Sequence, residues 1–86
     1  MLSIVFEKSA WQDLGWWIKN QPKTTKKIFE LIEATAKSPF SGIGKPEMLK
    51  GNLTGYWSRR ITQEDRLIYK VGEGKIIIVG LKGHYQ

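Results

Sequence analysis

Tyr56-Trp57-Ser58-Arg59-Arg60-Ile61-Thr62 and, beyond Gln63-Glu64-Asp65, Arg66-Leu67-Ile68-Tyr69-Lys70-Val71 form the stretch on which the fold turns. Aromatic and β-branched residues fill both halves and a polar triplet separates them, so they read as two strands and a turn. A three-residue turn at Gln63–Asp65 pairs Thr62 with Arg66 and Arg60 with Ile68. Paired residues share a face. One face then carries Tyr56, Ser58, Arg60, Thr62, Arg66, Ile68 and Lys70; the other carries Trp57, Arg59, Ile61, Leu67, Tyr69 and Val71. The second set is the more apolar and is expected to pack on helices. The first leaves Arg60 and Arg66 on an open surface. A two-residue turn would separate those arginines, so the register matters.

Downstream, Gly72-Glu73-Gly74 reads as a hairpin turn. Lys75–Leu81 reads as a strand that is apolar on both faces, expected to be interior or covered. Upstream lies a long loop containing Gly42, Gly44, Pro46, Gly51 and Gly55. Loops of this length in small domains are usually functional or disordered. Ile43, Met48, Leu49 and Leu53, spaced through it, predict order.

Before the loop, Lys23–Lys37 has Ile28, Leu31, Ile32 and Thr35 on one helical face, with Pro22 suited to the first position. An earlier helix runs to about Asn20. Its expected N-cap is Ser9, with Gln12 completing a capping box. Its expected buried stripe is Trp11, Leu14, Trp17 and Ile18, with Trp16 half exposed. Two amphipathic helices across a short break suggest an antiparallel hairpin. Leu2–Phe6 reads as the first strand. The order β–α–α–loop–β–β–β predicts a single α+β domain, 1–86: two N-terminal helices packed on one face of a twisted, mainly antiparallel sheet.

Eighty-six residues bury only roughly 60–65% of their unfolded surface, so the core is thin. The absence of cysteine excludes disulfides, thiolate catalysis and cysteine-based zinc sites, and fits a cytoplasmic setting. No apolar run is long enough to span a membrane, and the N-terminus lacks the pattern of a secretory signal. The formal charge of +6 favours a polyanion or an acidic partner. Gly44-Lys45-Pro46 does not fit a Walker loop, and one histidine without cysteine gives poor metal-ligating material, so neither metal nor cofactor is expected.

The polar residues left over match the needs of RNA cleavage without metal. There, a base takes the ribose 2′-OH proton and an acid protonates the departing 5′-oxygen, each role contributing about 10²–10⁴-fold. Cations neutralise the charge that grows on the phosphate, and the planar fork of arginine suits it best. Glu47, in the loop stiffened by Pro46, is the candidate base. Arg66 and Arg60 are the candidate phosphate clamps. His84 is the candidate acid, since imidazole as a group suits proton transfer near neutral pH. Lys50 and Lys45 add charge, and Tyr85 is placed to stack on a base or hydrogen-bond a phosphate. Each group has a plainer reading: a solvated surface residue, or, for the two arginines, a salt bridge to Glu64 or Asp65.

The pattern as a whole carries a resemblance. Ser38-Pro39-Phe40, Gly42-x-Gly44-Lys45-Pro46-Glu47-x-Leu49-Lys50, Asn52-Leu53-x-Gly55-Tyr56-Trp57-Ser58-Arg59-Arg60-Ile61-Thr62, Arg66-Leu67-Ile68-Tyr69 and the terminal His84-Tyr85 resemble the YoeB toxins of the RelE/ParE toxin–antitoxin superfamily. The resemblance is dense over Pro39–Tyr69 and thinner in the helices. It implies a RelE-like microbial ribonuclease-type fold and a ribosome-dependent endoribonuclease that cuts mRNA in the A site, leaving a 2′,3′-cyclic phosphate or 3′-phosphate and a 5′-OH. It implies Glu47 as base, His84 as acid, Arg66 and Arg60 at the phosphate, and Lys50 and Tyr85 as further site residues. It also implies a YefM-type antitoxin whose acidic, disordered tail folds over the basic surface, ribosomal RNA contacts, and a homodimer. Two other functions stay open on this scaffold, since fold alone does not fix function: a ParE-like gyrase inhibitor and a non-catalytic RNA-binding module.

Overall fold

The computed structural model describes residues 1–83. The elements run β1 (Ser3–Phe6), α1 (Lys8–Asn20), α2 (Pro22–Lys37), β2 (Glu47–Met48), a 3-10 turn (Gly51–Leu53), β3 (Trp57–Arg60), β4 (Arg66–Gly72) and β5 (Lys75–Gly80). The strands form one sheet in the order β1-β5-β4-β3-β2. All pairs are antiparallel except β1 with β5. The predicted α+β architecture with a mainly antiparallel sheet is therefore present, with β2 as a short extra strand.

Both helices cover one face. Ala10, Leu14 and Trp17 of α1 join Ile28, Leu31, Ile32 and Ala36 of α2 against Ile61, Leu67, Tyr69, Ile76, Ile78 and Leu81. The inward face of the β3–β4 pair is the one the alternation predicts. In α2, Thr25 and Thr35 are buried as well, and each hydroxyl is satisfied by the carbonyl one turn back, Gln21 and Leu31. β5 is interior, as its two apolar faces require, flanked by β1 and β4.

Three local expectations change. The N-cap of α1 is Glu7, without a side-chain cap. Its N–H continues the β1–β5 ladder to the Ile78 carbonyl, which holds the chain extended up to the helix. Ser9 therefore lies within the helix and its hydroxyl donates to the Val79 carbonyl. The buried stripe of α1 is Ala10, Leu14 and Trp17; Trp11 and Ile18 are exposed. Rows 11/14/18 and 10/14/17 both have helical spacing, and small Ala10 allows the close approach to the sheet. Trp11 instead lies edge-on against Phe6, with ring centroids 5.7 Å apart.

The third change is the register. Arg60 faces Arg66, Arg59 faces Leu67, Ser58 faces Ile68 and Trp57 faces Tyr69, so the pairing has slid by two residues from Arg60 with Ile68. The link is five residues, Ile61–Asp65, because Ile61 and Thr62 leave the ladder. Their N–H groups both donate to the Asp65 carbonyl. The Thr62 hydroxyl donates to the Asp65 carboxylate and accepts from the N–H groups of Glu64 and Asp65. Ile61 turns into the core. A slip of two leaves every side chain on its predicted face, since strand side chains alternate with period two.

Candidate functional site

The loop that carries Glu47 is held from beneath by a buried arginine. Arg59, on the inward face of β3, is fully buried. Its guanidinium donates to the carbonyls of Ser38 (2.5 Å), Ser41 (2.9 Å) and Ile43 (2.9 Å), and its Nε to the Tyr69 hydroxyl (3.3 Å). That hydroxyl donates in turn to the Pro39 carbonyl at 2.5 Å. Burial pushes the Tyr69 phenol above its ordinary value of 10.0, and the Arg59 hydrogen bond and charge oppose the rise. Sequence reading put Arg59 on the correct face without giving it a task. The available signal was an arginine at an inward strand position among apolar neighbours.

Beyond Ile43 the chain passes so close to β3 that only glycine fits. A Cβ on Gly44 would stand 2.7 Å from Leu31 Cδ2 and 3.1 Å from Arg59 Cβ, and its φ is +83°. The Gly44 carbonyl accepts from the Arg60 N–H at 2.7 Å. Lys45 follows with φ +52°, the single non-glycine residue with positive φ among the described residues. A residue before proline ordinarily prefers an extended backbone. Here the anchors on Gly44 and the pairing after Pro46 fix both ends and impose the left-handed turn.

Past Pro46 the chain becomes β2, with Glu47 opposite Ser58 and Met48 opposite Trp57. Glu47 therefore shares a face with Ser58, and through the β3–β4 register with Ile68, Arg60 and Arg66. This is the face away from the helices. Arg60 lies diagonally from Glu47, a separation of about 7–8 Å between side-chain roots. Arg66 is one strand further, about 12 Å from Glu47 by strand spacing and rise.

Glu47 and Arg60 are exposed and Arg66 is half-buried. Arg66 Nη1 donates to the carbonyls of Thr62, Gln63 and Asp65, which aligns the guanidinium on the β3–β4 turn. Among the described residues the one ion pair is Lys37 with Glu33, so neither arginine is bridged to Glu64 or Asp65. Lys45 and Lys50 flank Glu47 in sequence and are exposed.

The tail is tied down up to the brink of His84. The Leu81 N–H donates to the Asp13 carboxylate, and Trp17 Nε1 donates to the Leu81 carbonyl at 2.9 Å. The Lys82 ammonium lies 3.7 Å over the Trp16 ring. The Gly83 N–H donates to Asp65 Oδ1, and the Gly83 carbonyl accepts from the Arg66 N–H at 3.0 Å. The backbone one residue before His84 is thus bonded to the backbone of Arg66. His84 and Tyr85 themselves lie outside the described residues. Sequence reading missed Asp65, Asp13 and Trp17 as tethers. Among the described residues, no three His, Cys, Asp or Glu side chains converge as metal ligands, and no helix is long and apolar enough to cross a membrane.

A helical pair on a mixed sheet with a basic outer face is the architecture of a small bacterial toxin. The YoeB/ParE toxin from Agrobacterium tumefaciens superposes with a TM-score of 0.91 at 37% identity, over 98% of this chain and 100% of that one. Residues 6–85 match the model of the YoeB-like toxins of bacterial type II toxin-antitoxin systems, and the chain belongs to that family. Toxin YoeB of Synechocystis sp. is 47% identical over 85 residues, covering 99% of each chain. YoeB from Staphylococcus aureus superposes as a dimer (TM-score 0.89, 46% identity, 98% of each chain) and in a YoeB-YefM complex (0.88, 45%, 99% of each).

Proposed function

We propose that this toxin is a ribosome-dependent mRNA endoribonuclease that cuts in the A site by metal-free transphosphorylation. The observation that carries the reading is the single open face shared by Glu47, Arg60 and Arg66, with the tail bonded to the Arg66 backbone. Glu47 takes the 2′-OH proton and the 2′-oxygen attacks phosphorus. The P–O5′ bond breaks, and His84 gives its proton to the leaving 5′-oxygen. The products are a 2′,3′-cyclic phosphate and a 5′-OH end. Arg66 and Arg60 neutralise the negative charge that builds on the non-bridging oxygens. Arg66 is the better preorganised of the two, because turn carbonyls already orient it. Lys45 and Lys50 hold the flanking backbone, Tyr85 contacts the substrate, and no cofactor takes part.

A YefM-type antitoxin with an acidic segment neutralises the toxin by covering this basic face. The +6 charge and the solved staphylococcal complex support that partner, and the staphylococcal dimer supports a homodimer. The setting is the cytoplasm, where translating ribosomes are. The test is to map mRNA 5′ ends after brief expression, with and without translating ribosomes. New 5′-OH ends that appear only with ribosomes are the expected result. Intact mRNA together with accumulating DNA breaks would overturn the reading in favour of gyrase poisoning.

A further inference from the structure

The open sheet face carries a second feature beside Glu47, which the catalytic scheme does not use. Carrying the β3–β4 register one residue past Trp57↔Tyr69 sets Tyr56 opposite Lys70. Tyr56 also holds the β2–β3 ladder, accepting from the Leu49 N–H and donating to the Leu53 carbonyl. The Lys70 ammonium lies 5.5 Å from the centroid of the Tyr56 ring, within cation–π range. Both side chains are half-buried, and Lys70 has no carboxylate partner among the described residues. Tyr69 and Ile78 point into the core, so their neighbours Lys70 and Ile77, which pair with each other, point to the open side.

The face is therefore ordered in rows about 6.8 Å apart, two residues of strand rise. Arg60 and Arg66 form one row, Glu47 and Ser58 the next, and Tyr56 and Lys70 the third. A strand of RNA whose scissile phosphate rests on the arginines, with its 2′-OH at Glu47, has a neighbouring nucleotide over Tyr56. We infer that Tyr56 and Lys70 form a nucleobase-stacking subsite on the Glu47 side of the scissile bond, an inference that rests on the proposed RNA-cleaving function. Tyr56 supplies the stacking surface, which every base can use. Lys70 holds the ring from one side and adds charge near the RNA backbone.

The test is a titration of the full chain with a 2′-O-methylated hexanucleotide, which lacks the attacking hydroxyl and is not cut. Tyr56→Leu keeps the apolar bulk and removes the ring, and is expected to weaken binding about 5- to 150-fold. Tyr56→Phe is expected to stay within about two-fold of wild type by the same stacking argument. Lys70→Ala is expected to reduce the slope of log affinity against log salt by about 0.7, one phosphate contact on a single strand. Unchanged affinity in a folded Tyr56→Leu variant would overturn the subsite, as would the absence of saturable binding by the wild-type chain. Loss of binding in Tyr56→Leu alongside a wild-type chain that cuts no mRNA would leave the subsite standing and sink the nuclease instead.

Discussion

Arg59→Met removes the guanidinium that anchors the loop leading to Glu47 while keeping most of the side chain's apolar volume. Replacing both partners of a buried ion pair by apolar groups is often neutral. That escape is closed here, because the partners are the main-chain carbonyls of Ser38, Ser41 and Ile43. Each buried acceptor left unsatisfied costs roughly 1–3 kcal/mol. Ser38, Ser41 and Ile43 are exposed as residues, so water can repair part of the loss once the loop lifts. Three carbonyls at the low end give about 3 kcal/mol. A domain of this length has roughly 4–13 kcal/mol of stability in total. At about 4–8 °C per kcal/mol the melting temperature should fall by about 12–24 °C. Thermal unfolding followed by circular dichroism measures the fall. Below that transition, cleavage of ribosome-bound mRNA should also drop, because the loop carrying Glu47 loses its anchor. A variant that melts within about 3 °C of wild type, a shift well below 1 kcal/mol, would refute the claim that these hydrogen bonds hold the loop.

Glu47→Gln should lower the cleavage rate by about 10²–10⁴-fold, the value of a general base, with the melting temperature unchanged because the side chain is exposed; single-turnover cleavage on programmed ribosomes measures it. Gly44→Ala should destabilise the domain by about 1–3 kcal/mol, the range for overpacking, since the new methyl would meet Leu31 at 2.7 Å on a backbone with positive φ; chemical denaturation reads the cost. Asp65→Ala removes the acceptor that holds the Gly83 N–H and the Thr62 hydroxyl and should lower kcat more than it raises KM; equal kcat in a folded variant would show that the tether is dispensable. The Tyr69 phenol is held neutral above its ordinary value of 10.0 by burial, so the unfolded chain loses that proton first as pH rises. Its stabilising contribution is complete below about pH 10 and is lost as pH climbs through the folded value; Tyr69→Phe should flatten this alkaline loss in pH-dependent melts.

The parts of the fold legible in the sequence are those set by period. Ile28, Leu31, Ile32 and Thr35 recur at helical spacing and are buried, and the alternation in Trp57–Arg60 and Arg66–Val71 assigns both sheet faces. What escaped is set by particular contacts. The length of the β3–β4 link depends on the Thr62 and Asp65 side chains bonding inside the turn, a tertiary choice that no propensity scale weighs. In α1 Trp11 offers far more apolar surface than Ala10, yet Ala10 is the one buried, beside Leu14 and Trp17. β2 is two residues long and has no period to read. For the same reason the placement of Glu47 beside the arginines is not legible from spacing; their candidate roles rest on side-chain chemistry and on the resemblance.

The candidate site depends on one hairpin doing two jobs with the same residues. The Arg60 N–H holds the loop through the Gly44 carbonyl, and the Arg66 N–H holds the tail through the Gly83 carbonyl. By register the two arginines share the open face, each from the very residue whose backbone anchors a neighbouring segment. Loop and tail are therefore referenced to a single rigid register, Arg60 opposite Arg66, and not to each other. Distances between a loop carboxylate and a tail group add the uncertainty of both attachments, so a shared frame is the economical way for a chain of this size to keep them matched. It also explains why a polar turn, Ile61–Asp65, carries so many internal hydrogen bonds on an exposed edge: any change in its length would slide Arg60 past Arg66 and move the loop and the tail in opposite directions.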